Sequence, residues 1–190
     1  MLRSSLVLLV LALSASANSQ GFDYNYLQLD YGNLDFDDIN ADGDGVGLSG
    51  SFAINPDWHV FAGYQSAGLD RGIDVNAFNA GIGYNTEMSP TVDAYARFSY
   101  EYIDFDAPGG NGGDDSGLGF GIGMLFAASD VLEVDAAIDY VDFGGNNGDD
   151  TAFSLGALYS FSDAFALGLE GSWSSDATAY ILNGRFYFGE

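Results

Sequence analysis

Three sets of residues in this chain have types and spacing that could do chemistry, and each demands a different setting. The widest set is Asp30, Asp93, Arg97, Glu101, Glu133, Asp135, Asp139, Glu170 and Arg185. These fall on one parity of alternating stretches, so on strands they would all face the same side. Carboxylates gathered around two guanidiniums make either an ion-paired plug or a conduit that favours cations. Arg97 has Asp93 and Glu101 on its own face, and Arg185 is expected to meet Glu170 or Asp30 from neighbouring strands.

The second set is Asn40-Ala41-Asp42-Gly43-Asp44-Gly45, which matches the opening of a calcium loop. Asn40, Asp42 and Asp44 would offer oxygens at alternate positions, with Gly45 at the sharp bend. The closing glutamate is replaced by Ser51, so the expected ligand is calcium held weakly at the loops, with no other cofactor. The third set is His59 alone. Nucleophilic or general-base hydrolysis needs a histidine oriented by an acid and set beside a nucleophile or water. His59 is the sole histidine and follows a short turn at Asn55-Pro56-Asp57, at the wrong end of a barrel for a rim site. The run Gly117-x-Gly119-x-Gly121-x-Gly123 is no phosphate loop, because strand alternation continues through it. A non-enzyme is expected.

The elements that must position these residues are strands. Around 92–102 one face carries Val92, Ala94, Ala96, Phe98, Tyr100 and Tyr102, and the other Asp93, Tyr95, Arg97, Ser99 and Glu101. Ten such segments are predicted, at 24–34, 45–54, 58–67, 75–85, 91–103, 117–127, 131–142, 152–161, 165–174 and 178–188. Nearly all reach the ~9–11 residues that a spanning strand requires. Long Asp/Gly-rich connections at 35–44, 67–74, 104–116 and 143–151 alternate with short turns at 55–57, 86–90, 128–130 and 161–163. Long external loops opposite short periplasmic turns are the usual asymmetry of outer-membrane barrels. The expected fold is all-β, an antiparallel up-and-down transmembrane barrel of ten strands, with eight as the alternative.

Polarity says which side faces out. In 117–127 the apolar parity holds Leu118, Phe120, Ile122, Met124 and Phe126 against a stripe of glycines. A soluble barrel fills its centre with bulky apolar groups and mixes charges outside. Here the polar parity is small and acidic with scarcely any cations, which suits a narrow lumen. Ahead of the strands, Arg3, the apolar run 6–13 and Ala15-Ser16-Ala17 read as a signal peptide over 1–17, leaving 18–190 as the barrel domain. Beyond Arg3 the chain has three arginines, no lysine and 28 acids, a balance that repels phosphate backbones and excludes nucleic acid. It has no cysteine and so no disulfide chemistry.

The signal segment, the alternating strands, the Asp/Gly loops and the aromatic ending Arg185-Phe186-Tyr187-Phe188 resemble the small outer-membrane β-barrel proteins of Gram-negative bacteria. The resemblance implies a monomer in the outer membrane, with loops extracellular and both termini periplasmic. It implies lipid, lipopolysaccharide and the barrel-assembly machinery as partners. The expected role is structural or surface-interacting. The alternatives are a small cation-selective porin and, third, an outer-membrane hydrolase.

Overall fold

The computed structural model describes residues 16–18, 21–36, 41–109, 112–144 and 148–188. Twelve strands form among them. Two short ones, β1 (Ser16–Asn18) and β2 (Gly21–Asp23), pair only with each other. The remaining ten are β3 (Tyr26–Phe36), β4 (Ala41–Asn55), β5 (Trp58–Leu69), β6 (Ile73–Ser89), β7 (Val92–Asp106), β8 (Gly113–Ser129), β9 (Leu132–Asp142), β10 (Asp149–Ser162), β11 (Phe165–Trp173) and β12 (Ala177–Tyr187). Each pairs antiparallel with its sequence neighbours, and β12 closes on β3 from Ala177↔Phe36 to Tyr187↔Tyr26. A closed ring leaves no edge, so each of the ten barrel strands has a partner on both sides within the wall. The ten expected strands are all present, and β12 runs unbroken through Asn183-Gly184. The expected cleavage point after Ala17 falls inside β1, while 1–15 lie outside the described residues.

One end of the ring carries short turns, the start of β3 and the end of β12; the other carries the longer connections. At the turn end the hairpins β4–β5, β6–β7, β8–β9 and β10–β11 each have a register shift, beside Ala53, Glu87, Ala127 and Ser160. A bulge there adds twist where the chain reverses. The opposite end corrects the expected boundaries. Residues read as loop at 41–44, 67–69, 73–74, 104–106, 113–116 and 149–151 are strand, and with 86–89 and 128–129 gained at the turn end β6 and β8 reach 17 residues each. The ladder continues because extended pairing satisfies these Asp- and Gly-rich backbones more fully than a loop would.

That extension carries a reversal of polarity. Along most of each strand the outward side chains are apolar: Phe98, Phe120 and Ile122 are 52, 53 and 50% exposed, whereas inward Glu101 and Asp135 are 5 and 3%. Toward the loop end the parities exchange character. Outward positions become Asp35, Asp42, Asp44, Asp74, Asp106, Asp114, Asp142 and Asp149, all exposed. Inward positions become Leu34, Phe36, Leu69, Ile73, Val75, Ile103, Val141 and Phe143, which pack as one buried cluster. Below the crossing the barrel is oily outside and polar inside; above it, the reverse holds. The lower part suits lipid and the upper part, which we call the crown, suits water.

Candidate functional site

The nine inward charges expected from the sequence all lie on the lumen side, each buried. Their partners differ from the expected ones. Residues four apart on one strand are about 13 Å apart, too far for Arg97 to reach Asp93 or Glu101 along its own face. Arg97 instead crosses β8 to Asp139 of β9, with Nη2 donating to Oδ1 at 2.8 Å. Its guanidinium also lies 5.0 Å from the Tyr95 ring and 6.0 Å from that of Phe61. Asp93 accepts from the Tyr24 hydroxyl at 2.9 Å, Asp135 from the Tyr95 hydroxyl at 3.0 Å, and Glu101 from Ser99.

Arg185 meets its expected acid only through a relay. Gln28 stands directly opposite it in the ladder, and Gln28 Oε1 accepts from Arg185 Nε at 2.8 Å and Nη2 at 2.6 Å. Gln28 Nε2 in turn donates to Asp30 Oδ1 at 2.8 Å. The Arg185 guanidinium sits 4.2 Å from the Tyr26 ring, a cation–π contact in a desolvated setting. Sequence reasoning missed Gln28, Tyr24 and Tyr95. The last stands on the inward parity between Asp93 and Arg97, and that position was the available signal.

The glycine stripe of β8 follows from these crossings. A Cβ on Gly121 would strike Asp139 Oδ1, one on Gly119 would strike Ser99 and Glu101, and one on Gly123 would strike the Tyr95 ring. The side chains of β7 and β9 lie across β8, so its inner wall must stay bare.

Within this belt the acceptors outnumber the donors. Asp30 Oδ2, Asp135 Oδ1, Glu170 Oε1 and Gln65 Oε1 are buried and accept no hydrogen bond among the described residues. Asp30 and Gln65 line a cavity of about 20 Å³, enough for one water-sized molecule. A larger groove of about 650 Å³ lies on the outer wall, bounded by Tyr31, Leu155, Leu169, Trp173, Tyr180 and Leu182. Its lining is mostly apolar, and Glu170 of the charged belt also contributes to it.

The other two expected sites fall elsewhere. Asp42 and Asp44 are exposed strand residues of β4, paired with Asp35 and Asn33, and Asn40 lies outside the described residues. In an extended strand they cannot wrap around an ion as a loop does. Among the described residues no group of three or more His, Cys, Asp or Glu is placed to hold a metal. His59 points into the lumen at the turn end, stacked on Tyr24 at 4.4 Å, with Nδ1 3.3 Å from Asn85 Oδ1. Among the described residues that amide is its only hydrogen-bond partner.

Two aromatic belts flank the apolar band. Trp58–Tyr84, Tyr159–Phe161 and Phe161–Phe165 contact one another in pairs at 5.1, 4.8 and 6.3 Å near the turn end. Phe153–Trp173 and Trp173–Tyr180 do so at 6.0 and 6.3 Å just below the crown. Such girdles mark the two membrane interfaces of a barrel.

Comparison with known proteins agrees with this geometry. Residues 5–161 match the outer membrane protein beta-barrel domain, and the chain belongs to that family. It is therefore an outer-membrane protein. Among solved structures it resembles the NanC porin at 9% identity, covering 84% of this chain and all of that one, with a TM-score of 0.50. It also resembles OprG of Pseudomonas aeruginosa (12% identity, 92% and 100% coverage, TM-score 0.49) and Neisserial surface protein A (18%, 89% and 100%, 0.46). At such identities the likeness concerns the fold alone. The comparison with curated proteins gave no match.

Proposed function

We propose that this protein is a closed barrel that holds an acidic crown above the outer membrane, with a structural or surface-interacting role and no catalysis. The supporting observation is that side chains fill the lumen at three levels. The apolar cluster around Phe36, Val75 and Val141 closes the crown. Below it the Arg97–Asp139 and Arg185–Gln28 pairs, with the Tyr95 and Tyr26 rings against their guanidiniums, occupy the inner side of the wall. Tyr24 spans the turn end to Asp93. In this reading the crown is extracellular and the termini are periplasmic. The protein is a monomer surrounded by lipid and lipopolysaccharide and inserted by the barrel-assembly machinery. Purified protein in planar bilayers should give no regular conductance steps; steady open channels would refute the closed reading.

A second reading, a small cation-selective pore, draws support from the lumen charge: among the described residues eight of the ten buried charged side chains, Asp150 of the crown included, are acids. Carboxylates unmatched by arginines favour cations. If channels do appear, their reversal potential in a salt gradient should carry the cation sign. Anion preference would leave neither pore chemistry nor closure standing.

A further inference from the structure

The turn-end mouth is closed by two kinds of residue. Tyr26, Phe61, Tyr95, Leu125, Leu158 and Tyr187 stand on barrel strands and cannot leave without breaking the wall. Tyr24 differs, because it belongs to the segment that precedes β3 and yet is only 6% exposed. Its ring stacks on His59 of β5 with an interplanar angle of 20°. Its hydroxyl bonds Asp93 of β7, four places from β3 in a ring of ten, which is almost the full width of the mouth.

The attachment of this segment is one-sided. Asn25 is tied to the barrel, its carbonyl accepting from Phe188 N at 3.1 Å and its side-chain oxygen from Ala53 N at 3.0 Å. Asp23 Oδ1 accepts from Asn25 N at 2.8 Å and Nδ2 at 3.1 Å, which stiffens the joint from the other side. Beyond that joint β2 pairs with β1 and with no barrel strand. The segment can therefore swing about Asn25 without costing the barrel a single ladder bond. Tyr24 is its most deeply buried anchor, through the ring stack and the hydrogen bond to a carboxylate, and Phe22 packs beside it on the same cluster.

We propose that Gly21–Asn25 is a releasable strap over the turn-end mouth, with Tyr24 as its bolt. When the bolt leaves, the Asp93 carboxylate, His59 and the inward wall behind them open to solvent while the barrel and its crown stay folded. This adds a moving part to the closed-barrel reading and stands or falls separately from it, because a strap can open the mouth without opening a path through the crown.

The chain has no cysteine, so single engineered thiols can report local opening. Ser51→Cys places one on the inward side of β4, opposite Tyr26, where the serine hydroxyl is buried and makes no hydrogen bond. Ala152→Cys places a second within the crown cluster. Both proteins, folded in detergent, are treated with a water-soluble maleimide. Adding Tyr24→Phe, which removes only the hydrogen bond to a charged acceptor, should speed labelling at position 51 by about tenfold, and Tyr24→Ala by more. Labelling at position 152 should not change, because only the mouth opens. Equal acceleration at both thiols would mean that Tyr24 merely supports the whole fold, and unchanged labelling at position 51 would mean that no strap moves. Either result overturns the proposal.

Discussion

Replacing Asp139 by asparagine leaves the Arg97 guanidinium in place with an acceptor of the same shape but no opposing charge. The pair is 2.8 Å long and its side chains are 6 and 9% exposed, so solvent screens it little. Removing one member of a buried ion pair costs about 3–5 kcal/mol. The new amide oxygen would still accept a hydrogen bond, which places Asp139→Asn near the lower figure, or more than a hundredfold in the folding equilibrium. Arg97→Met should lie near the upper figure. It also strips the cation from the Tyr95 and Phe61 rings and leaves Asp139 buried and unopposed. The combined change Arg97→Met with Asp139→Leu removes both charges and should recover most of the loss, because an apolar pair of similar volume avoids desolvating two ions. The assay is reversible urea unfolding in lipid vesicles, followed by the fluorescence of Trp58 and Trp173. Single variants within about 0.5 kcal/mol of the parent, or a double variant as unstable as Arg97→Met, would refute the claim that this crossing is a dry, coupled pair.

Three further outcomes follow from the wall. Gly123→Ala forces a methyl group into the Tyr95 ring and the Ala136 carbonyl, and calorimetry should show a loss of about 1–3 kcal/mol, as for overpacked cores. On the outward face of β8, Phe120→Arg should cost about 2–4 kcal/mol of folding free energy in vesicles. Asp114→Arg, on the same face but in the crown, should shift it by no more than about 0.5 kcal/mol; equal costs would mean that the polarity crossing is not the membrane boundary. In β9 the adjacent residues should behave oppositely. Val141→Asp buries an unpaired carboxylate in the crown cluster and should lower the melting temperature by many degrees, while Asp142→Val, on the exposed side, should leave it nearly unchanged.

How much of this was written in the sequence depends on range. Alternation is a two-residue signal, so strand number, facing and the lumen identity of Arg97 or Glu170 could be read from the chain directly. The crossing of parities could be read too, since Leu34 and Phe36 follow Asp30 on one side while Asp35 follows Leu29 and Tyr31 on the other. Its composition reads as loop because Asp and Gly disfavour strands in isolation, and the closed ladder overrides that preference. Partner choice was not legible. Whether Arg97 turns to Asp93 or Asp139 depends on which strands a side chain can cross, and that depends on the bare inner wall of β8 and the curvature of the ring. The role of Tyr24 was hidden for the same reason. Its contact with Asp93 spans 69 positions in sequence and exists only once the ring has closed.

The exchange of inner and outer character near Asn33, Ser66 and Asn76 works like a waterline painted on a hull. Sliding the molecule deeper would drag a collar of aspartates into acyl chains. Raising it would bare phenylalanine and leucine to solvent. Such a float has one draught, so when the surrounding bilayer is thicker or thinner than its painted band, the lipids must stretch or thin to meet it.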